Sequence, residues 1–285
     1  MAIVTGSFGP RVRWAFADRH DGASLPPYDA GNLADHVGDD PDHVRRNRSA
    51  LAHAVGVDGR HVVSMAPVHG NDVGQVRSAS EEPVPEVDAL VTSVPGLALL
   101  TQAADCVPVL LADAEAGVVA VVHAGWKGVR SDIVGVTLDA MRDMGSRPDR
   151  MQALIGPAIC GRCYPVPQER YDAVVAVAPC AAAVAADGGP GLDLRAAVEH
   201  RLASGGVSTA RHGGCTAESP DLFSYRRDHL TGRHGGVVVL LPHDEPQELP
   251  EPELAEPELA LPELAEPAVT VAASRPARAA GEVRP

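Results

Sequence analysis

The sequence predicts an α/β fold of the α+β kind, with short strands in mixed sheets and helices beside them. Three observations carry this. Apolar, β-capable runs of four to eight residues recur along the chain, too short for typical buried helices. Between them lie amphipathic stretches with helix-capping signals. Glycine and proline punctuate the boundaries.

The order of elements follows. Residues 12–16 read as a first strand, and 17–35 are polar and turn-rich. Asp40 is placed to cap a helix with Pro41 at its first position, and Gly56 suits its end. Val44, Leu51 and Val55 share one face of it. Residues 60–66 read as a strand running into a loop that carries His69, with Gly70 and Asn71 as turn formers. Residues 81–86 are a Pro/Glu-rich exposed loop, and 88–92 and 97–101 are strands joined through Pro95-Gly96.

Residues 106–111 and 118–122 are two apolar strands around a loose turn. Paired as an antiparallel hairpin, they bring Cys106, at the start of one, beside His123, at the end of the other. A Gly-Trp-Lys-Gly loop, residues 125–128, follows at once. Ser131 is placed to cap a helix reaching Met144, whose two methionines, Met141 and Met144, read as core. Residues 152–155 are a strand and 156–164 a glycine-bearing loop. Residues 167–177 are a helix, 181–191 an Ala/Gly linker, 193–202 a helix, 208–211 a strand and 237–241 a last strand.

The chain changes character at Pro242. The tail repeats Pro-Glu-Leu-Ala and carries ten acidic and three basic side chains, half of the formal charge of −14. The expected organisation is one catalytic domain over residues 1–241 and a disordered acidic tail over 242–285 whose protein partner is unknown. So acidic a chain lacks the basic footprint of nonspecific DNA or RNA binding. No apolar run is long enough to span a membrane, and the N-terminus lacks a signal-peptide pattern. Five cysteines, at 106, 160, 163, 180 and 215, suggest no disulfide framework. The expectation is a cytoplasmic protein with reduced thiols.

Two chemistries suit Cys106 and His123. With His69 they make a three-ligand set that fits zinc with a fourth position left for water. Alternatively, Cys106 is a nucleophile activated by His123. Copper also accepts these donors, although the paired His-x-His runs of a trinuclear copper cluster are missing. Asp105 is a candidate acid/base or supporting group. Arg48, Lys127, Arg226, Arg227 and Arg233 are candidate oxyanion or phosphate contacts, with Asn47 beside Arg48. Trp126 or Phe223 offers a ring to stack on a planar base. Neither a P-loop nor a GxGxxG fingerprint is present.

Taken in order, several segments resemble one known family. They are NLADHVGDD (residues 32–40), Asn47-Arg48, Val68-His69-Gly70, Ala104-Asp105-Cys106, HAGWKG (123–128), the 156–166 loop, Cys215-Thr216 and FSYRRD…TGR (223–233). The family is named for polyphenol oxidoreductase or "laccase domain" activity and also for purine nucleoside phosphorylases. The resemblance implies mixed sheets in a layered sandwich flanked by helices, similar to a bacterial toxin deamidase domain. It implies His69, Cys106 and His123 as ligands of a metal usually described as zinc, with copper the alternative. It further implies phosphorolysis of adenosine, inosine, guanosine and methylthioadenosine with inorganic phosphate as co-substrate, and hydrolytic deamination of adenosine. The chain departs from the family pattern at Cys160, where glycine is common, at Arg162, in place of the first of two adjacent cysteines, and at Pro67 and Pro165. These departures bear on substrate contacts more than on the three ligands.

Overall fold

Two β-sheets lie face to face, each covered on its outer side by helices. The computed structural model describes residues 2–242; the expected acidic tail lies outside the described residues, apart from Pro242. The larger sheet has six strands, in the order Ser208–Arg211, Gln152–Ile155, Val107–Asp113, Val118–Ala124, Ala89–Thr92 and Val73–Gln75. The smaller has five: Ile3–Ser7, Val12–Ala17, His234–Leu240, Ala98–Ala103 and Val62–Val63. Both mix parallel and antiparallel pairs.

The core is layered accordingly. Leu110, Val119, Val121 and Leu154 of the larger sheet pack against Phe16, Leu99 and Val238 of the smaller. The alternate residues Val109, Leu111, Ala120 and Val122 point the other way, onto Ile133, Leu138, Val198 and Leu202 of helices Ile133–Asp143 and Leu194–Ser204. Helix Pro41–Ala54 lays Leu51 and Ala52 on the outer face of the five-stranded sheet. The central strands are therefore buried on both faces, which is why they read as unbroken apolar runs and not as alternation. In the hairpin Val107–Asp113 and Val118–Ala124 the polar side chains, Asp113 and His123, stand at strand ends.

The central hairpin forms as expected. Val107–Asp113 and Val118–Ala124 are antiparallel, with His123 opposite Pro108 and Ala124 opposite Val107. The Asp40 carboxylate caps its helix by accepting from the Asp42 N–H. Six expectations need correction. The strand at residues 12–16 is not the first, because Ile3–Ser7 precedes it and pairs with it. The expected loop at 81–86 holds the strand Val84–Pro85, which pairs with Met65–Ala66. The Gly-Trp-Lys-Gly segment is not a loop: Gly125 is extended, and helix Trp126–Arg130 starts directly after it. Ser131 ends that short helix, and Asp132 caps the next through the Gly135 N–H. The supposed linker at 181–191 holds a small hairpin of Ala182–Val184 and Pro190–Leu192, because Asp187-Gly188-Gly189 can turn. The run at 60–66 splits into Val62–Val63 and Met65–Ala66, whose partners lie in different sheets.

This layering yields a stability test. Leu110→Ala removes a fully buried side chain between the sheets and should lower the unfolding free energy by about 2–5 kcal/mol in a urea titration. Val136→Ala, at a 38% exposed position of the Ile133–Asp143 helix, should change it by no more than about 0.5 kcal/mol. Equal effects would contradict the assignment of faces.

Candidate functional site

One end of the central hairpin opens into a cavity of about 500 Å³. His69, Cys106 and His123 line it, and one ligand-capable atom from each lies within 4.8 Å of the others. The His69 and His123 rings meet edge to face, with centroids 4.9 Å apart. Each is brought there by a different local device.

His123 is the penultimate residue of Val118–Ala124 and is buried. Its Nδ1 is 2.9 Å from Asp88 Oδ1, and its backbone N–H donates to the Asp88 carbonyl. Nε2 is thereby left for the cavity. His69 sits on a loop at φ 62°, in the left-handed region that non-glycine residues rarely adopt. That kink lets three successive N–H groups converge on the same carboxylate: His69 on Oδ1, and Val68 and Gly70 on Oδ2. Asp88 thus orients both histidines, one through its ring and one through its backbone, as outer-shell carboxylates do at metal centres. In sequence it reads only as the first residue of the strand at 88–92. The available signal was an acid directly before the apolar run Ala89–Thr92, since a buried carboxylate needs donors.

Cys106 is placed by its neighbour. Asp105 has φ 102°, and its carboxylate accepts from Thr216 Oγ1 (2.6 Å), Ser224 Oγ (2.7 Å) and the Arg226 N–H (2.6 Å). Its carbonyl accepts from the Ile159 N–H. So many contacts hold the unusual backbone in place. Asp105 lines the cavity, but its geometry is that of a positioning group for the thiol. Gly125 completes the cradle: a Cβ there would stand 2.7 Å from His69 Cδ2 and 3.2 Å from Cys106 Sγ.

Charge reinforces the grouping. Burial opposes ionisation of the thiol, yet the His123 and His69 rings bring Cys106 down to about 6. Burial likewise opposes charge on His123, yet the Cys106 thiolate and Asp88 raise it to about 9. Burial pushes Asp88 up, and His123 with the Gly70 and Val68 N–H groups pulls it down further. Each group favours the charged form of the other, a thiolate beside an imidazolium. Two imidazoles, a thiolate and open space beside them fit the donor set of a catalytic zinc site.

The other candidates divide. Trp126 and Arg226 line the cavity with Arg233, Tyr164 and Tyr225. The Arg226 guanidinium lies 5.1 Å above the Tyr164 ring. Arg233 donates from Nη1 to the Thr231 and Gly232 carbonyls, which fixes its plane. Asn47, Arg48 and Lys127 are not brought to the cavity. Asn47 is buried and ties Ala23, Ser24, Ala30 and Asn32 together. Arg48 donates to the Leu33 carbonyl and pairs with Asp35 at 3.2 Å. The Asp35 carboxyl is held at about 2 by its His36 hydrogen bond and, against burial, by Arg48. Lys127 is exposed, with Nζ 5.8 Å from the Trp126 ring. Arg227 is spent on the Thr216, Ser219 and Leu222 carbonyls, and Phe223 is fully buried under Arg19. A residue that the sequence reading missed is Gln102, 5% exposed and lining the cavity, with neither amide atom bonded to a described residue.

Residues 13–241 match the profile of the family described as multi-copper polyphenol oxidoreductase laccase. A purine nucleoside phosphorylase of Streptomyces coelicolor is 48% identical over 231 residues, spanning 80% of this chain and 96% of its own. One from Mycobacterium tuberculosis is 44% identical over 237 residues, spanning 83% and 95%. Of solved structures, YlmD from Geobacillus stearothermophilus superposes with a TM-score of 0.76 at 28% identity, covering 83% of this chain and 94% of that one. A Neisseria meningitidis protein does so with a TM-score of 0.74 at 32% identity, covering 85% and 100%.

Two outcomes follow from the geometry. Asp88→Asn sets an amide N–H₂ against backbone or imidazole donors in either orientation and should weaken zinc binding on the order of 10- to 100-fold in a chelator competition. In metal-free protein, Cys106 alkylation should accelerate as the pH rises through about 6, below the ordinary thiol value of about 8.5, and bound zinc should block it. An inflection at the ordinary value would contradict the thiolate–imidazolium pair.

Proposed function

The chain belongs to the multi-copper polyphenol oxidoreductase laccase family, and on that premise we propose that it is a zinc-dependent purine nucleoside phosphorylase that also deaminates adenosine. The observation that carries this is the convergence of His69, Cys106 and His123 on a cavity that also holds aromatic faces and two guanidinium groups. Relatives at 44% and 48% identity bear the name purine nucleoside phosphorylase, which supports the same reading. The nucleosides in view are adenosine, inosine, guanosine and methylthioadenosine.

The residues divide the work by chemistry. Trp126 and Tyr164 offer faces for a purine to stack on. Gln102 presents a donor and an acceptor side by side, the pairing that reads a purine edge. Arg226 and Arg233, two of the five basic residues that the sequence offers as phosphate contacts, supply the cations for inorganic phosphate. In phosphorolysis a phosphate oxygen forms a bond to the ribose anomeric carbon as the bond to the purine nitrogen breaks. The departing purine takes the electron pair and then a proton, leaving ribose 1-phosphate. In deamination water adds at C6 of adenine and ammonia leaves. Asp105 holds the Cys106 backbone and the Arg226 N–H throughout, which favours a positioning role over proton transfer. A zinc ion held by His69, Cys106 and His123 would supply Lewis-acid stabilisation of developing negative charge or an activated water. Asp88 keeps His123 in the orientation this needs.

The deciding assay is product identification from adenosine and inosine, with zinc-loaded protein, with and without phosphate. Phosphate-dependent release of adenine and hypoxanthine with ribose 1-phosphate is expected, with inosine and ammonia from adenosine. Cys106→Ser should lower both activities by at least about 100-fold, beyond the outer-shell range. Arg233→Ala should act chiefly on the KM for phosphate. A zinc-replete protein that forms neither product would overturn the reading, and copper-dependent oxygen uptake with a phenol would replace it.

A further inference from the structure

A second group of metal-ligand side chains lies apart from the His69, Cys106 and His123 set. One sulfur or oxygen atom from each of Cys160, Cys163, Cys215 and Glu218 lies within 4.8 Å of the others. In sequence they form two matching pairs, Cys160-x-x-Cys163 and Cys215-x-x-Glu218. The three sulfurs are free thiols. We propose that these four side chains bind a second zinc ion, with a structural role, which staples the loop that carries Ile159 and Tyr164 into the cavity wall to the loop that carries Thr216.

The local geometry is that of paired metal knuckles. Cys160 and Cys163 flank a tight turn closed by the Cys163 N–H on the Cys160 carbonyl. Gly161 is needed inside it, since a Cβ there would stand 2.5 Å from the Ala183 Cβ. The Cys160 N–H points at Cys215 Sγ, at 3.3 Å. Tetrahedral zinc, with bonds of about 2.0–2.3 Å, sets its ligand atoms roughly 3.5–4 Å apart. A contraction on the order of 1 Å therefore closes the site. Three sulfurs and a carboxylate fill all four positions, which marks a closed structural site and not a catalytic one. Glu218 Oε1 accepts from Arg162 Nη2 at 2.9 Å and from Cys163 Sγ at 3.4 Å. The ion would replace the thiol proton there, while Arg162 stays at the solvent side, and an exposed ion pair of this kind is worth little to break. Binding releases one proton for each neutral thiol it takes up.

The position explains what the ion would do. Cys160 and Cys215 are 55 residues apart in sequence. The first loop carries Ile159 and Tyr164, which line the cavity. The second carries Thr216, which donates to Asp105. A bond across these loops fixes the groups that hold Asp105, and through it Cys106.

The test uses the full chain carrying C106S and H69A, which removes the thiol and one imidazole of the first set. After zinc loading and desalting, one zinc per chain is expected, against two in the unsubstituted chain. Cobalt in place of zinc should give intense thiolate-to-cobalt absorption, which C215S added to the double variant should abolish. Zinc should shield Cys163 and Cys215 from alkylation while the exposed Cys180 stays reactive, a measurement that needs no further variant should C215S misfold. No retained zinc in the double variant, equal alkylation of all four remaining cysteines, or a disulfide among Cys160, Cys163 and Cys215 in place of metal would each overturn the proposal. Because the double variant lacks the first site, its outcome is independent of whether the chain cleaves nucleosides.

Discussion

The Asp88 carboxylate is the constraint on which the site depends. It is fully buried, and a buried carboxylate without donors is costly. Four donors meet it: three consecutive loop N–H groups and the His123 ring. The strand Ala89–Thr92 that it precedes pairs with Val118–Ala124, with Val122 opposite Ala89. Main-chain register therefore delivers Asp88 to the side of His123. The demand for donors then folds the His69 loop around it and holds His69 at a positive φ. Two histidines 54 positions apart are joined by one acid that would bind no metal itself.

Asp105 does for the thiol what Asp88 does for the imidazoles. It also has a strained backbone and three donors, which come from Thr216, Ser224 and Arg226. The two carboxylates gather loops from distant parts of the chain onto the open end of a hairpin whose strands are sealed on both faces. Polar chemistry has no other place to go in such strands, because their interior positions are apolar on either side. The site and the core are two consequences of one layering.

This division also accounts for the basic residues. Arg48, Arg227 and Asn47 look functional in sequence because they fall inside distinctive motifs. Each instead bonds to neighbouring loops, Arg48 and Arg227 to backbone carbonyls and Asn47 to carbonyls, the Ser24 hydroxyl and the Ala23 N–H. They hold the frame in which Arg226 and Arg233 reach the cavity. Motif membership marks both kinds of residue alike, and only the direction of the side chain separates them.

Much was legible from residue types and spacing. The central strands, the Asp40 cap, the hairpin and the juxtaposition of Cys106 with His123 follow from apolar runs and local turn chemistry, which act over a few residues. The ordered motifs were enough to indicate the family and the mixed-sheet fold. What local pattern does not encode is which distant loops meet. The role of Asp88, the exposure of Gln102 to the cavity and the assembly of Cys160, Cys163, Cys215 and Glu218 each depend on contacts between segments tens of residues apart. The helix at Trp126–Arg130 was hidden for a related reason: glycines at 125 and 128 signal a loop locally, yet Gly128 is buried where a Cβ would stand 3.0 Å from the Gly70 carbonyl. Sequence by itself determined the ligand types and the strands that carry them. Tertiary structure decided which side chains face one another, because sheet register and buried carboxylates, not neighbouring residues, set those directions.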